Sequence, residues 1–419
     1  MMNIAILVDL ELNEKSGGHV KFWERICFAL KNEKNDFNLT VYFLGKERRS
    51  IRINQNIDFK ILKPVFSSKI LRCIGIDADH TDLSPINIKL LFLLQNFDII
   101  HTTDQLFTMS KTAKLASKFW KIPLTTSYHT DTPSYSKYYV QKIINYFPNV
   151  ISNFFTKKIN LANKVEKKQK KKILDYLMHC KYAMIDQSLS DKSFNMEKIS
   201  SCSVEKMSRG VDKNIFKKKN FNKDLFLKKY KIPRKNKLIF FCGRIHELKG
   251  STFLSKIHKS LSRNLGNITT VLAGENINGE ECKSIGGKDL IIINHLDQIE
   301  VSSFLNVCDL FVFPSLFETG PQVVLEAKSC EAICVVSPSG GGRRIEKNGF
   351  DGVIIKRHIL KDWILEIEDL LKNPKRINFI KNNLRKNFNQ PSWKKVFEIY
   401  FLEKWKKIYS KNANDLKMH

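Results

Sequence analysis

The chain is short of turn formers and of acid. Its 419 residues include only 11 Pro and 18 Gly, too few for a collagen-like or other fibrous repeat. Asp and Glu number 42 against 71 Lys and Arg, a formal net charge of +29. Long apolar runs are missing as well. The nearest, from Lys89 to Ile100, is broken by Gln95, Asn96 and Asp98, so no transmembrane helix is expected. The start, Met1 to Asp9, lacks the basic opening, long apolar stretch and small-residue cleavage site of a secretory leader. The nine cysteines are odd in number and scattered. None forms CxxC, and Cys330 and Cys334 have no partner pair at zinc spacing. Reduced, mostly buried thiols of a cytosolic protein are expected.

What is present is enough to fold. A hydrophobic share of 42% and an aromatic share of 11% supply large cores and exclude bulk disorder. At roughly 150 residues per domain, the length suggests two or three domains. The charge admits three readings: a nucleic-acid footprint, attraction to an anionic membrane, or lysine bias spread over a solvated surface. Most of the cations are Lys, and Ile and Asn are also abundant, as a low-GC genome would produce. Charge by itself does not choose between them.

Short apolar runs alternate with helical spacing in the first half. Strands are expected at Ile4–Val8, Leu39–Leu44, Phe59–Leu62, Ile99–His101, Leu124–Tyr128 and Tyr182–Ile185. Helical patterns such as Val20–Leu30 and Lys111–Trp120 lie between them. Strand then helix, repeated, predicts parallel βαβ units in a doubly wound sheet. The alternation stops in a charged stretch and restarts at Lys237–Cys242, Thr269–Ala273, Leu290–Ile293, Leu310–Phe313, Ile333–Ser337 and Gly352–Ile355. The expected division is a first α/β domain over 1–212, a linker over 213–235, a second α/β domain over 236–385 and a C-terminal helical segment over 386–419. That last segment is broken at Gln390-Pro391-Ser392, because Pro cannot continue a helix.

Three stretches stand at strand-to-helix junctions. In Ser16-Gly17-Gly18-His19, two glycines precede a helix whose N-terminus favours an anion, although an ordinary βα turn reads the same way. The spacing is not that of the dinucleotide fingerprint GxGxxG. In Gly243-Arg244-Ile-His-Glu-Leu-Lys249-Gly250 a strand ends in Gly and two cations follow, a planar fork and a point charge suited to clamping a diphosphate. In Phe313-Pro314-Ser315-Leu-Phe-Glu318-Thr319-Gly320-Pro321 through Glu326, two glutamates stand eight positions apart. If Pro321 opens the helix, Glu326 lies about one and a half turns in.

In order and spacing, these stretches resemble the retaining nucleotide-sugar glycosyltransferases of family 4. The resemblance runs through most of the chain. Ser16-Gly17-Gly18 resembles the family's N-terminal glycine loop, and Arg209-Gly210-Val211-Asp212 through Phe216 its interdomain RGVDxxxF segment. Gly243-Arg244 to Lys249-Gly250 resembles its phosphate-binding stretch and Glu318 to Glu326 its EX7E element. Gly349 to Gly352 resembles the GxxG turn that follows, and Pro391-Ser392-Trp393 with Tyr400 the helix that crosses back to the first domain. The resemblance implies an α/β GT-B fold: two facing Rossmann-like domains, the first for acceptor and the second for nucleotide sugar. It implies that Arg244 and Lys249 neutralise the leaving diphosphate, replacing a divalent cation, so no metal and no other cofactor is expected. Glu326 would accept from the donor ribose, and Glu318, Thr319 and Gly320 would face the transferred sugar. Gly17 and Gly18 would pack on phosphate or sugar, and the Asn294-His295-Leu296 backbone would hold the base edge.

The chain departs from the family at several points. Pro321 stands where Gly is usual and removes an N–H donor. Gly340-Gly341-Gly342-Arg343-Arg344 puts a cation where Gly-Gly-x-Pro-Glu has an acid, and Glu331 and Ile333 replace a Gly and a Pro. These bear on the donor sugar rather than on the fold.

On the acceptor side, Ser127-Tyr128-His129-Thr130-Asp131 resembles the SYHT segment of lipid-glycosylating members, such as glucosyl- and sulfoquinovosyl-diacylglycerol synthases. The resemblance puts His129 at the sugar and acceptor cleft, with Asp131 and Asp104 (of His101-Thr-Thr-Asp104) nearby as positioning groups or weak bases. A satisfied loop histidine is the alternative. Lysines crowd the stretch 157–176, where Ile159, Ala162, Val165, Ile173 and Tyr176 recur at helical spacing. Aromatics from Tyr135 to Phe155 precede it. That composition suits an interfacial membrane binder, or else an ordinary surface helix. The expectation is a UDP-hexose-dependent hexosyltransferase acting on a lipid such as diacylglycerol, peripheral on the cytoplasmic face of the membrane. Transfer in lipopolysaccharide or exopolysaccharide synthesis is the alternative within the class. A non-catalytic or nucleic-acid-binding protein on the same scaffold is the alternative outside it, though no nucleic-acid module is present.

Overall fold

A computed structural model describes residues 1–13, 18–70, 81–129, 131–186, 202–316, 318 and 320–417, without the side chains of 157 and 413–417. The chain forms two compact units, Met1–Ser208 with Trp393–His419, and Arg209–Ser392.

In the first unit β1 (Met2–Glu11), β2 (Phe37–Leu44), β3 (Arg49–Arg52), β4 (Ile57–Leu62), β5 (Ile99–Thr102), β6 (Leu124–Tyr128), β7 (Tyr182–Asp186) and β8 (Ser203–Met207) make one sheet in the order 3-4-2-1-5-6-7-8. All neighbours are parallel except β3 with β4. β1 is buried along almost its whole length, as a parallel strand covered on both faces must be. Its alternate residues feed two cores. Ile4, Ile6 and Val8 pack with Val20, Phe22, Trp23 and Ile26 of the helix Gly18–Ala29, while Ala5 and Leu7 join Met109, Ala113, Ile173 and Leu177. Trp393, Val396, Phe397, Phe401 and Trp405 complete the first of these cores. Trp405 stacks on Trp23 at 6.3 Å between ring centroids.

In the second unit β9 (Lys237–Cys242), β10 (Ile268–Ala273), β11 (Leu290–Ile293), β12 (Leu310–Phe313), β13 (Cys334–Val336) and β14 (Val353–Ile354) form a parallel sheet in the order 11-10-9-12-13-14. Among the parallel strands each order reverses direction once, between β1 and β5 and between β9 and β12. Ligands of doubly wound sheets bind at such reversals, beyond the carboxyl ends of the strands.

Two strands escape the apolar pattern. β3 is an exposed, charged edge, and β8 is a half-buried one. The stretch expected as a linker, 213–235, lies within the second unit. Val211, Phe216, Leu227 and Ile232 enter that unit's core, and both Lys229 Nζ (2.7 Å) and Tyr230 OH (2.6 Å) reach Glu300. Those apolar residues are sparse among lysines, which is why the stretch reads as charged and irregular. Among the described residues no helix is long and apolar enough to cross a membrane.

Candidate functional site

The second unit brings two sequence-distant stretches together at its β9/β12 reversal. After β9 the chain runs through Gly243 and Arg244 to a single turn, Glu247–Lys249, and then to the helix Ser251–Leu265. Gly250 joins the turn to the helix at φ +80°, and a Cβ there would lie 2.5 Å from the Pro314 carbonyl oxygen. Only glycine fits both the left-handed backbone and the close approach. Ser315 Oγ donates to the Leu248 carbonyl at 3.1 Å. These contacts hold the turns after β9 and β12 side by side, and Lys249 Nζ donates to Glu318 Oε1. Arg244 Nε lies 3.4 Å from Glu275 Oε2, so its guanidinium is held at the same sheet edge.

Glu318 is fixed from a second side. Gly340 N donates to the Glu318 carbonyl at 2.8 Å, and a Cβ on Gly340 would stand 2.4 Å from that oxygen. The glycine run thus has a local function: its backbone lies flat against the acid-bearing turn. Pro321 is the N-cap of the helix Gln322–Ser329 rather than its first residue, because its ψ of 125° is extended. Glu326 is the fifth residue of that helix and is buried. Gln322 donates to the Gly210 carbonyl at 2.7 Å, which ties the Arg209–Asp212 segment to the same helix, and Val211 N donates to the Pro391 carbonyl at 2.9 Å. Arg344 is buried and donates to the Gly320 carbonyl at 3.4 Å. Leu296 packs at the margin of the core after β11. Thr319 lies outside the described residues.

In the first unit the expected acceptor residues gather at the carboxyl ends of β5 and β6. His129 is buried, its Nε2 2.7 Å from Ser127 Oγ. Asp104 accepts from the amides of Leu106 (2.6 Å) and Phe107 (3.0 Å), and burial raises its carboxyl above the usual range. Asp131 caps the helix Thr132–Ile144, accepting from Ser134 N at 3.3 Å and Ser134 Oγ at 2.7 Å. Capping is therefore a structural use of the carboxylate that was expected to position an acceptor. Gly18 opens the helix Gly18–Ala29, whereas Ser16, Gly17 and Thr130 lie outside the described residues.

Two residues at this edge carried no expected role. Asp9, near the end of β1, is buried and accepts from Met109 N (2.7 Å) and Thr81 Oγ1 (3.0 Å). Burial, with Asp104 adding to it, raises its carboxyl to about 7. The ring of His19 lies 5.9 Å from that of His129. The signal for Asp9 was an acid ending the first strand of a doubly wound sheet, the place where such sheets present ligand groups.

Residues 222–387 match the family described as Glycosyl transferases group 1. An N,N'-diacetylbacillosaminyl-diphospho-undecaprenol alpha-1,3-N-acetylgalactosaminyltransferase of Campylobacter jejuni is 30% identical over 162 residues, 38% of this chain and 42% of that one. The chain spans less than half the length of each curated relative it matches. Among solved structures, sucrose-phosphate synthase from Thermosynechococcus elongatus superposes over the full length of both chains with a TM-score of 0.64 at 12% identity. Anabaena HepE in complex with UDP and glucose does so with a TM-score of 0.61 at 14% identity. The fold is GT-B, and the stretch that matches the glycosyl transferases group 1 family, 222–387, lies within the second unit.

Proposed function

We propose that this protein is a retaining, metal-independent glycosyltransferase that moves a hexose, with UDP-hexose as favoured donor, to a lipid acceptor such as diacylglycerol on the cytoplasmic face of the membrane. The observation that carries the reading is the meeting of Lys249 and Glu318 at the β9/β12 reversal, which makes one site from two stretches 69 residues apart. In that site Arg244 and Lys249 neutralise the diphosphate as the bond from the anomeric carbon to the phosphate oxygen breaks. Fixed charges at the point where charge develops lower the barrier without reorganisation. Glu326 accepts from the ribose hydroxyls, and Leu296 lies at the base edge. Glu318, Thr319 and Gly320 hold the sugar. The acceptor hydroxyl bonds to the anomeric carbon on the face the leaving group vacates, and its proton passes to a phosphate oxygen. His129 and Asp104 position that hydroxyl, while Asp131 holds the adjoining helix.

Exposed side chains support work at a bilayer. Tyr146, Phe147, Val150, Ile151 and Phe154 are exposed beside the lysine-rich helix Leu161–Leu177. Ile88, Phe92 and Phe119 are exposed on two further helices, Ile88–Leu93 and Thr108–Trp120, that carry lysines and no acid. Apolar side chains among cations suit the headgroup region of an anionic leaflet, where each cation adds about 1 kcal/mol.

The name of the Campylobacter relative, which specifies a diphospho-undecaprenol acceptor, favours a second reading: a lipid-linked saccharide as acceptor, as in surface-polysaccharide synthesis. Release of UDP from a panel of UDP-hexoses is to be measured with diacylglycerol, with polyprenyl-diphosphate saccharides and without lipid. Product in the first arm supports the main reading, product only in the second supports the alternative, and no turnover in any arm refutes both. Glu326→Ala is expected to weaken UDP binding about 5- to 150-fold by calorimetry, as loss of a buried acceptor for sugar hydroxyls costs about 1–3 kcal/mol. Unchanged affinity in that variant would remove the donor-site assignment.

A further inference from the structure

From His129 a chain of side-chain hydrogen bonds runs into the interior of the first unit. Ser127 Oγ lies 2.7 Å from His129 Nε2 and 2.9 Å from His101 Nε2. His101 Nδ1 lies 2.9 Å from Thr125 Oγ1. Thr125 Oγ1 receives the Trp405 indole N–H at 3.1 Å and donates to the Ile100 carbonyl at 3.3 Å. Ser127, His101, Thr125 and Trp405 are all 0% exposed, so bulk water offers them no competing partner.

Each link needs one proton and one lone pair, and the two ends of the chain are not interchangeable. An indole N–H only donates, and a carbonyl only accepts. The single hydroxyl proton of Thr125 goes to Ile100, so His101 Nδ1 carries a proton and donates to Thr125. Burial lowers the pKa of His101 to about 3, so the ring is neutral and Nε2 holds its lone pair. Nε2 accepts the Ser127 proton, and Ser127 Oγ accepts from His129 Nε2–H. In neutral His129 the lone pair then falls on Nδ1. The opposite order would set a Thr125 lone pair against the Ile100 carbonyl oxygen.

We propose that His101 is a positioning residue: through Ser127, and directed by Thr125 and Trp405, it sets the tautomer of His129 so that Nδ1 is the nitrogen able to accept a proton. The consequence for acceptor positioning rests on the transferase reading, whereas the tautomer itself does not.

The test uses the full chain with 15N-labelled histidine, His129 being assigned by the signals lost in His129→Gln. Ring nitrogen shifts are expected to show His129 protonated on Nε2. In Thr125→Val, His101 loses the acceptor for its Nδ1 proton. The proton moves to Nε2, the chain reverses, and His129 becomes protonated on Nδ1 with far-UV circular dichroism unchanged. Ser127→Ala uncouples the rings, and both His129 tautomers appear. His129 protonated on Nδ1 in the unsubstituted chain overturns the proposal, and this measurement decides even if a variant fails to fold. So does a folded Thr125→Val or Ser127→Ala chain whose His129 signals do not change. If the tautomers behave as expected but no donor is turned over, the transferase reading fails and the relay stands.

Discussion

Asp9 and His101 sit in one unit and titrate in opposite senses, so each hides the other in a pH profile. Asp9 is raised from the usual carboxylate value to about 7 by burial. The folded state binds its proton more tightly, and that contribution to stability is present below pH 4 and lost as pH rises towards 7. Burial lowers His101 to about 3. Its contribution is present above the usual histidine value and lost as pH falls. Between about pH 4 and 6.5 one proton is gained and one lost on unfolding, so the slopes cancel. Asp9→Asn is expected to unmask the histidine: relative to the unsubstituted chain, the slope of unfolding free energy against pH becomes more positive by up to about 1.4 kcal/mol per unit in that range. His101→Gln should give the opposite change. Urea melts at half-unit pH intervals measure both, and parallel profiles for the two variants would be inconsistent with this pairing. The cations and glutamates of the second unit were legible in the sequence because each belongs to a short local stretch. The partner of each was not, since Lys249 meets Glu318 only through the adjacency of β9 and β12.

At the scale of elements, the helix Gln322–Ser329 is anchored from below by a buried ion pair. Lys328 Nζ donates to Asp351 Oδ2 at 2.6 Å and to the Arg344 carbonyl at 2.8 Å. Asp351 also accepts from the amides of Glu346 (3.1 Å) and Lys347 (2.9 Å). Lys328→Ala strands the carboxylate in the core and is expected to cost about 3–5 kcal/mol by denaturant unfolding. Replacing both partners, as Lys328→Met with Asp351→Asn, should cost less than the single change. Gly340→Ala tests a different kind of support. Its methyl group meets the Glu318 carbonyl, so the expected result is a 10-fold or larger loss of donor turnover with a melting temperature shifted by only a few degrees. Most strands were legible as apolar runs because parallel strands are buried on both faces. β3 and β8 were not, because edge strands carry polar residues. The helix over 223–229 was hidden by the lysines around Leu227.

Over the whole molecule the surplus of +29 divides unevenly. Arg244 and Lys249 belong to the second unit's carboxyl edge, whereas the lysines of Leu161–Leu177 cover a helix of the first unit beside exposed aromatics. Replacing Lys164, Lys167, Lys168 and Lys171 by Gln is expected to weaken binding to vesicles containing 30% phosphatidylglycerol roughly 100-fold or more, at about 1 kcal/mol per cation. Hydrolysis of free donor should be unchanged. Sedimentation with vesicles measures the first and UDP release the second. Equal sedimentation of the two proteins would remove the membrane proposal.

The first unit is discontinuous: the chain leaves it after Ser208 and returns at Trp393. Trp393, Val396, Phe397, Phe401 and Trp405 are all in its core. Burying five such side chains is worth about 8–15 kcal/mol, comparable to the net stability of an entire domain. On the ribosome, therefore, the half made first cannot be finished first. Residues 1–208 emerge with a greasy groove along the helix Gly18–Ala29 and must wait while the second unit is synthesised and folds by itself. Only when residues 393–405 clear the exit tunnel can the first unit close. During that interval the nascent chain is a client for a holdase, and a stop codon at residue 393 itself leaves a complete second unit attached to an aggregation-prone first one.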